Sequence, residues 1–173
     1  MSNLSQINIQ FKPADDRLLL LLKTNKLAEF RFWMTRRFVK SLWPALVNCL
    51  ANNEAVAGQT QKQAKQTVLS FQHESAVAKS NFDANYESQV ASTPLGTEPL
   101  LLTRANLKRN ERNQPVLGLY PESGQGIELA VDEPMLHSFC KLLSQTVAKA
   151  SWDMSLGFGT TAAAVDSTPH TVN

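Results

Sequence analysis

Apolar residues fall on alternate positions from Ile7 to Phe11, with Asn8 and Gln10 between them, and a period of two predicts a β-strand. Lys12-Pro13-Ala14-Asp15-Asp16 ends that strand with turn chemistry. Arg17 to Lys23 reads as a second strand, apolar on both sides, and Ala28 to Met34 as a third with Phe30, Phe32 and Met34 on one face. The period changes at Thr35, a favourable N-cap: Phe38, Val39, Leu42, Leu46 and Cys49 recur at helical spacing. Pro44 inside that run predicts a kink or the first turn of a second short helix.

From residue 53 to 82 the character changes. Gln59, Gln61, Gln63, Gln66 and Gln72, with alanines and lysines among them, predict a long connecting helix. Its apolar anchors, Val68, Leu69, Phe71, Val77 and Phe82, lie in the second half, so the first half is expected to be solvated or to meet another subunit. Pro94, Gly96 and Pro99 mark 83–99 as a linker. Strands follow at Leu100–Leu107, Val116–Tyr120 and Ile127–Val131, the last two forming a hairpin around Pro121–Gly126. Asp132, Glu133 and Pro134 then open a helix striped with Met135, Leu136, Phe139, Cys140, Leu143 and Val147. Beyond Trp152 the composition is that of a disordered tail.

Shifted by 97 positions, the first pattern falls on the second without a gap. Leu20 and Leu22 meet Leu117 and Leu119; Phe30, Phe32 and Met34 meet Ile127, Leu129 and Val131; Thr35 meets Asp132. The expected fold class is therefore α+β, two pseudo-repeated β-β-β-α units joined by a long polar helix. The expected divisions are 1–53, the helix 54–82, the linker 83–99, the second unit 100–152 and a tail 153–173. The face of each sheet turned away from its helix carries Leu19, Leu21, Arg31 and Trp33 in the first unit, and Val116, Gly118, Tyr120, Glu128 and Ala130 in the second. The first set is large and apolar and calls for a partner, which makes Leu19, Leu21 and Trp33 the candidate interface.

At 173 residues with 43% hydrophobic and 18% charged positions, the chain has the composition of a globular protein. The longest apolar run, Leu18–Leu22, is far too short to cross a bilayer, and the first residues lack the pattern of a secretory signal, so no membrane association is expected. Cys49 and Cys140 read as buried free thiols of a reducing compartment, with the cytoplasm as the expected location. The net charge of +2 hides an imbalance: residues 1–53 hold eight Lys/Arg against three Asp/Glu.

Arg31, Arg36, Arg37 and Lys40 cluster around the first helix start, where cations oppose the helix dipole; free N–H groups and guanidinium groups there could meet an anion. A second basic group is Arg104, Lys108, Arg109 and Arg112. With Trp33 and Tyr120 as stacking surfaces, these are the ingredients of single-stranded nucleic-acid binding. The plainer reading of the first cluster is a solvated basic face paired with Asp15, Asp16 or Glu29. His73, His137 and His170 are scattered along the chain and no metal site or cofactor is expected; His137 reads as a boundary residue. No nucleophile motif or phosphate loop is present, and no enzyme is expected. The leading expectation is a non-enzymatic binding or scaffold protein that self-associates or takes a protein partner; the alternative is a single-stranded nucleic-acid binder.

Overall fold

The computed structural model describes residues 1–80, 86 and 89–158. In chain order they form β1 (Leu4–Lys12), a 3-10 turn at Pro13–Asp15, β2 (Arg17–Thr24), β3 (Glu29–Met34), α1 (Arg36–Ala51), α2 (Glu54–Ala57), α3 (Lys62–Lys79), β4 (Leu100–Arg109), β5 (Pro115–Pro121), β6 (Ile127–Ala130) and α4 (Glu133–Lys149). The result is a mixed α+β structure with one six-stranded sheet and, among the described residues, four α-helices.

The strands lie side by side in chain order. Every neighbouring pair is antiparallel except β3 and β4, which run parallel through Phe32–Leu100 and Trp33–Leu101. A parallel junction needs a long crossover, and the chain supplies it between residues 35 and 99. A second parallel contact, the isolated bridge Asn3–Ala130, joins the start of β1 to the end of β6, where the Ala130 N–H donates to the Ser2 carbonyl at 3.1 Å. The sheet thus curls until its outer strands touch at one point, which shortens the edge left open for pairing.

One face of the sheet is the core. Leu18, Leu20, Leu22, Phe32, Met34, Leu117 and Leu119 are essentially inaccessible and pack with Phe38, Val39, Leu42 and Leu46 of α1 and Leu136, Phe139 and Leu143 of α4. The helices cross over as they cover it: α1 lies against β4 and α4 against β1. Hydrogen bonds pin both crossings. Arg109 at the end of β4 donates to the Cys49 carbonyl of α1 at 2.8 Å, and Trp152 after α4 donates to Asp16 beside β1 at 2.7 Å.

Both helices begin as expected. The Thr35 hydroxyl accepts from the Phe38 N–H at 3.2 Å, and the Asp132 carboxylate from the Met135 N–H at 2.7 Å. Thr35→Ala and Asp132→Ala are each expected to cost about 1 kcal/mol, read as a shift in the urea midpoint. Pro44 does not split α1 in two. Pro44 and Lys40 are exposed, so the carbonyl that loses its N–H partner faces solvent.

The glutamine-rich stretch differs from a single long helix: α2 and α3 are separate elements, parted at residues 58–61. Leu69 is the one buried residue of α3, and Phe71, an expected anchor, is 71% exposed. The end of that predicted helix at 81–82 and part of the predicted linker, at 83–85 and 87–88, lie outside the described residues. The described portion from residue 91 runs beside β3 before β4 begins, with the Ala91 N–H donating to the Leu27 carbonyl and the Glu29 N–H to the Ser92 carbonyl, both at 2.9 Å. Of the predicted tail, residues 153–158 fold back, with Phe158 packing edge-on against Trp43; residues 159–173, including His170, lie outside the described residues.

Candidate binding surface on the outer sheet face

Side chains alternate across a strand, so the registers that bury one set of residues turn the other set outward. On the first three strands the outward rows are Gln10–Leu19–Trp33, continuing to Leu101 of β4, and Asn8–Leu21–Arg31, flanked by the pair Lys12–Arg17. On β4 to β6 the corresponding rows are Arg104–Tyr120, Asn106–Gly118–Glu128 and Lys108–Val116–Ala130, of which Gly118, Val116 and Ala130, expected on an open face, are buried. Leu19, Leu21, Trp33 and Leu101 are half-buried and take no part in the hydrophobic core. They are large apolar side chains at mid-sheet on a face that the helices leave bare.

At one end of this face the segment before β4 covers a polar knot. Glu29 accepts from Arg31 Nε at 2.7 Å and from the Tyr86 hydroxyl at 2.7 Å, and the Lys23 ammonium sits 4.5 Å from the Tyr86 ring centre. Burial alone would raise the Glu29 pKa; the two hydrogen bonds and the charges of Arg31 and Lys23 outweigh it and hold the carboxyl below its usual range. The same burial and the Glu29 bond push the Tyr86 phenol well above its ordinary value. Arg31 Nη1 also donates to the Thr97 carbonyl at 2.9 Å, so this cation is largely engaged. Lys23 opposite Glu29 follows from the hairpin register, which the residue pattern around Thr24–Leu27 does not announce.

At the other end, the Tyr120 ring lies along the sheet. A β-carbon on Gly118 would sit 2.9 Å from the Tyr120 hydroxyl, and one on Gly126 would collide with the ring, so these two glycines make the bed on which the ring rests. The Tyr120 hydroxyl donates to Glu128 at 2.9 Å, Lys108 bonds the same oxygen at 3.0 Å, and the Arg104 guanidinium stands 5.3 Å from the ring centre. The Lys108 bond lowers the Glu128 pKa, and the Glu128 bond raises those of Lys108 and Tyr120. An isolated glycine within a strand pattern is the sequence signal for such a close approach.

The nine basic and aromatic candidates are divided between surfaces. Arg31, Trp33, Arg104 and Lys108 share the outer face. Arg36, Arg37 and Lys40 stand at the start of α1; Arg36 lies 3.6 Å from Asp16 and over the Trp152 ring. Arg37 and Arg104, one from each sequence cluster, line a common cleft of about 550 Å³ with Thr35, Ser41 and Thr103. Arg109 is engaged inward, bonding Glu133 at 2.5 Å and the Asn113 and Cys49 carbonyls. Arg112 lies in the β4–β5 turn, away from the outer face.

His73 of α3 and His137 of α4, far apart in sequence, meet with their Nδ1 atoms 3.1 Å apart, and Phe158 stacks on His73 with ring centres 4.1 Å apart. His137 is 3% exposed, a buried residue rather than the boundary position its sequence suggests. Burial lowers both pKa values to about 4, with Lys141 adding to the effect on His73 and His73 to that on His137. Each ring is therefore neutral near pH 7, one Nδ1 donating and the other accepting. Sequence spacing gave no sign of this pair, because the crossing of α3 over α4 creates it.

Cys49 and Cys140 are buried and unpaired, and burial raises both thiol pKa values. Among the described residues no group of three or more His, Cys, Asp or Glu is placed to hold a metal ion, and no helix is long and apolar enough to cross a membrane. The outer face offers aromatic, aliphatic and cationic side chains, a set suited to adhesion. Comparison with protein-family models, curated proteins and solved structures finds no match, so the surface stands on its own chemistry.

Proposed function

We propose that this chain is a non-enzymatic binding or scaffold protein whose working surface is the outer sheet face, and that copies of it associate there. One observation carries the reading: Leu19, Leu21, Trp33 and Leu101 occupy the middle of a six-stranded sheet yet are only partly buried and lie outside the core. Cores bury such residues when they have cover to offer; here α1 and α4 are both committed to the other face. The near-closure of the sheet through Asn3–Ala130 favours face-to-face contact over strand addition at an edge. Light scattering tests it: wild type at high micromolar concentration is expected to exceed the monomer mass, and Leu21→Asp to return it to the monomer. A wild-type protein that stays monomeric at that concentration would sink the association.

The scaffold is read as two copies of one β-β-β-α unit. The hairpin registers support this: Leu20 pairs with Phe32 and Leu117 with Leu129, Leu22 with Phe30 and Leu119 with Ile127, at one offset of 97 positions. Thr35 and Asp132, the same distance apart, make the same capping bond to the third residue beyond. A cytoplasmic setting agrees with two unpaired thiols.

A further inference from the structure

We infer that the outer sheet face takes single-stranded nucleic acid as a ligand. The inference rests on that face being the working surface and names what lies across it.

Charge and shape point the same way. The strands turn five cations outward, Lys12, Arg17, Arg31, Arg104 and Lys108, while Lys23 is buried beside Tyr86; the two carboxylates among them are Glu29, itself buried, and Glu128. Both carboxylates are already neutralised, Glu29 by Arg31 and Glu128 by Lys108, so neither repels an incoming phosphate. Among the described residues no carboxylate lies within ion-pair distance of Lys12, Arg17 or Arg104. Within this basic field stand two aromatic surfaces. Trp33 lies between Leu19 and Leu101 with Arg31 two residues along its strand, and Tyr120 lies flat on its glycine bed beside Arg104. Phosphates pair with the cations while bases stack on the rings and on the guanidinium plane.

A duplex fits less well. Its bases are stacked within the helix, out of reach of aromatic faces, and groove readers insert a helix or ribbon. The outer face presents a sheet rather than a helix or ribbon. A strand across Trp33 would also cover the residues proposed to join two copies, so the ligand and the second copy compete.

The test is fluorescence anisotropy with labelled oligothymidylate and oligouridylate of about 20 nucleotides and a duplex of equal length. Single strands are expected to bind more tightly than the duplex, with a log–log salt slope of about −2 to −3, matching three or four neutralised phosphates. Arg17→Ala and Arg104→Ala should each lower the slope by about 0.7. Trp33→Ala should weaken binding about five- to a hundredfold, with Trp33→Phe restoring most of it and circular dichroism confirming an unchanged fold. Trp43 and Trp152 are buried, so quenching of tryptophan emission reports on Trp33. No binding at about 50 mM salt, a preference for the duplex, or full binding by the Trp33→Ala protein would each overturn the inference. If oligonucleotides fail to bind while Leu21→Asp still dissociates the copies, the ligand is wrong and the working surface stands.

Discussion

Phe32→Ala is expected to lower the free energy of unfolding by about 3–5 kcal/mol, a large part of the stability of a chain this size. Phe32 has no exposed surface; Leu20 flanks it on one side and Leu100 on the other, and Leu100 belongs to the parallel junction that joins the two hairpins. Truncation removes a ring from the centre of the sheet, where the backbone on both sides is fixed and has little freedom to collapse into the space. Leu129→Ala, at the matching place in the second hairpin and 3% exposed, is expected to cost about 2–5 kcal/mol. Because α1 covers β4 and α4 covers β1, both substitutions should move one cooperative transition. Chemical denaturation followed by circular dichroism and by tryptophan emission is the measurement. Two separate transitions, each responding to only one substitution, would mean that the halves hold themselves up independently.

Acid should unfold the protein earlier than its carboxylates alone require. His73 and His137 titrate near pH 6.5 once unfolded but near 4 in the folded protein, so the unfolded chain binds more protons between those values. Folded pKa values below the unfolded ones mean stability complete above about pH 6.5 and lost as the pH falls towards 4. The charged groups around the pair are Lys141 and Glu133 on α4, Glu74 and Lys79 on α3 and Arg112 beside them; Lys141 opposes a proton on His73. At about 1.4 kcal/mol per unit, and discounting His73 for its partial exposure, the pair should remove about 2–4 kcal/mol over that window. The first proton can be shared between the two Nδ1 atoms, so most of the loss belongs to the second. Urea midpoints measured from pH 7 to pH 4 should show this slope in wild type and a shallower one in His137→Gln. Equal slopes in the two proteins would assign the acid response to other groups.

What the sequence disclosed and what it hid divide along a physical line. The six strands, the two caps and the inward rows through Phe32 and Leu129 were legible, because each rests on local periodicity or on one hydrogen bond between near neighbours. So were the contents of the outer rows, since alternation assigns Leu19, Leu21 and Trp33 to the face opposite Leu20 and Phe32. Hidden were the features made by residues far apart: the parallel β3–β4 junction, the exchange of helices, the His73–His137 contact and the engagement of Arg109 with Cys49 and Glu133. The basic clusters show the same divide. The first is contiguous in sequence, yet Arg31 lies on β3 while Arg37 stands at the start of α1, where it shares a cleft with Arg104 of the second. The glutamine-rich stretch differs for another reason: propensity alone does not fix where a helix breaks, and α3 leaves Phe71 exposed despite its apolar side chain.

The exchange of helices has a consequence during synthesis. β1 leaves the ribosome well before α4, the helix that shelters it. Until about residue 150 has emerged, the first hairpin must wait with part of its lipophilic side uncovered, the stage of synthesis at which aggregation competes with folding.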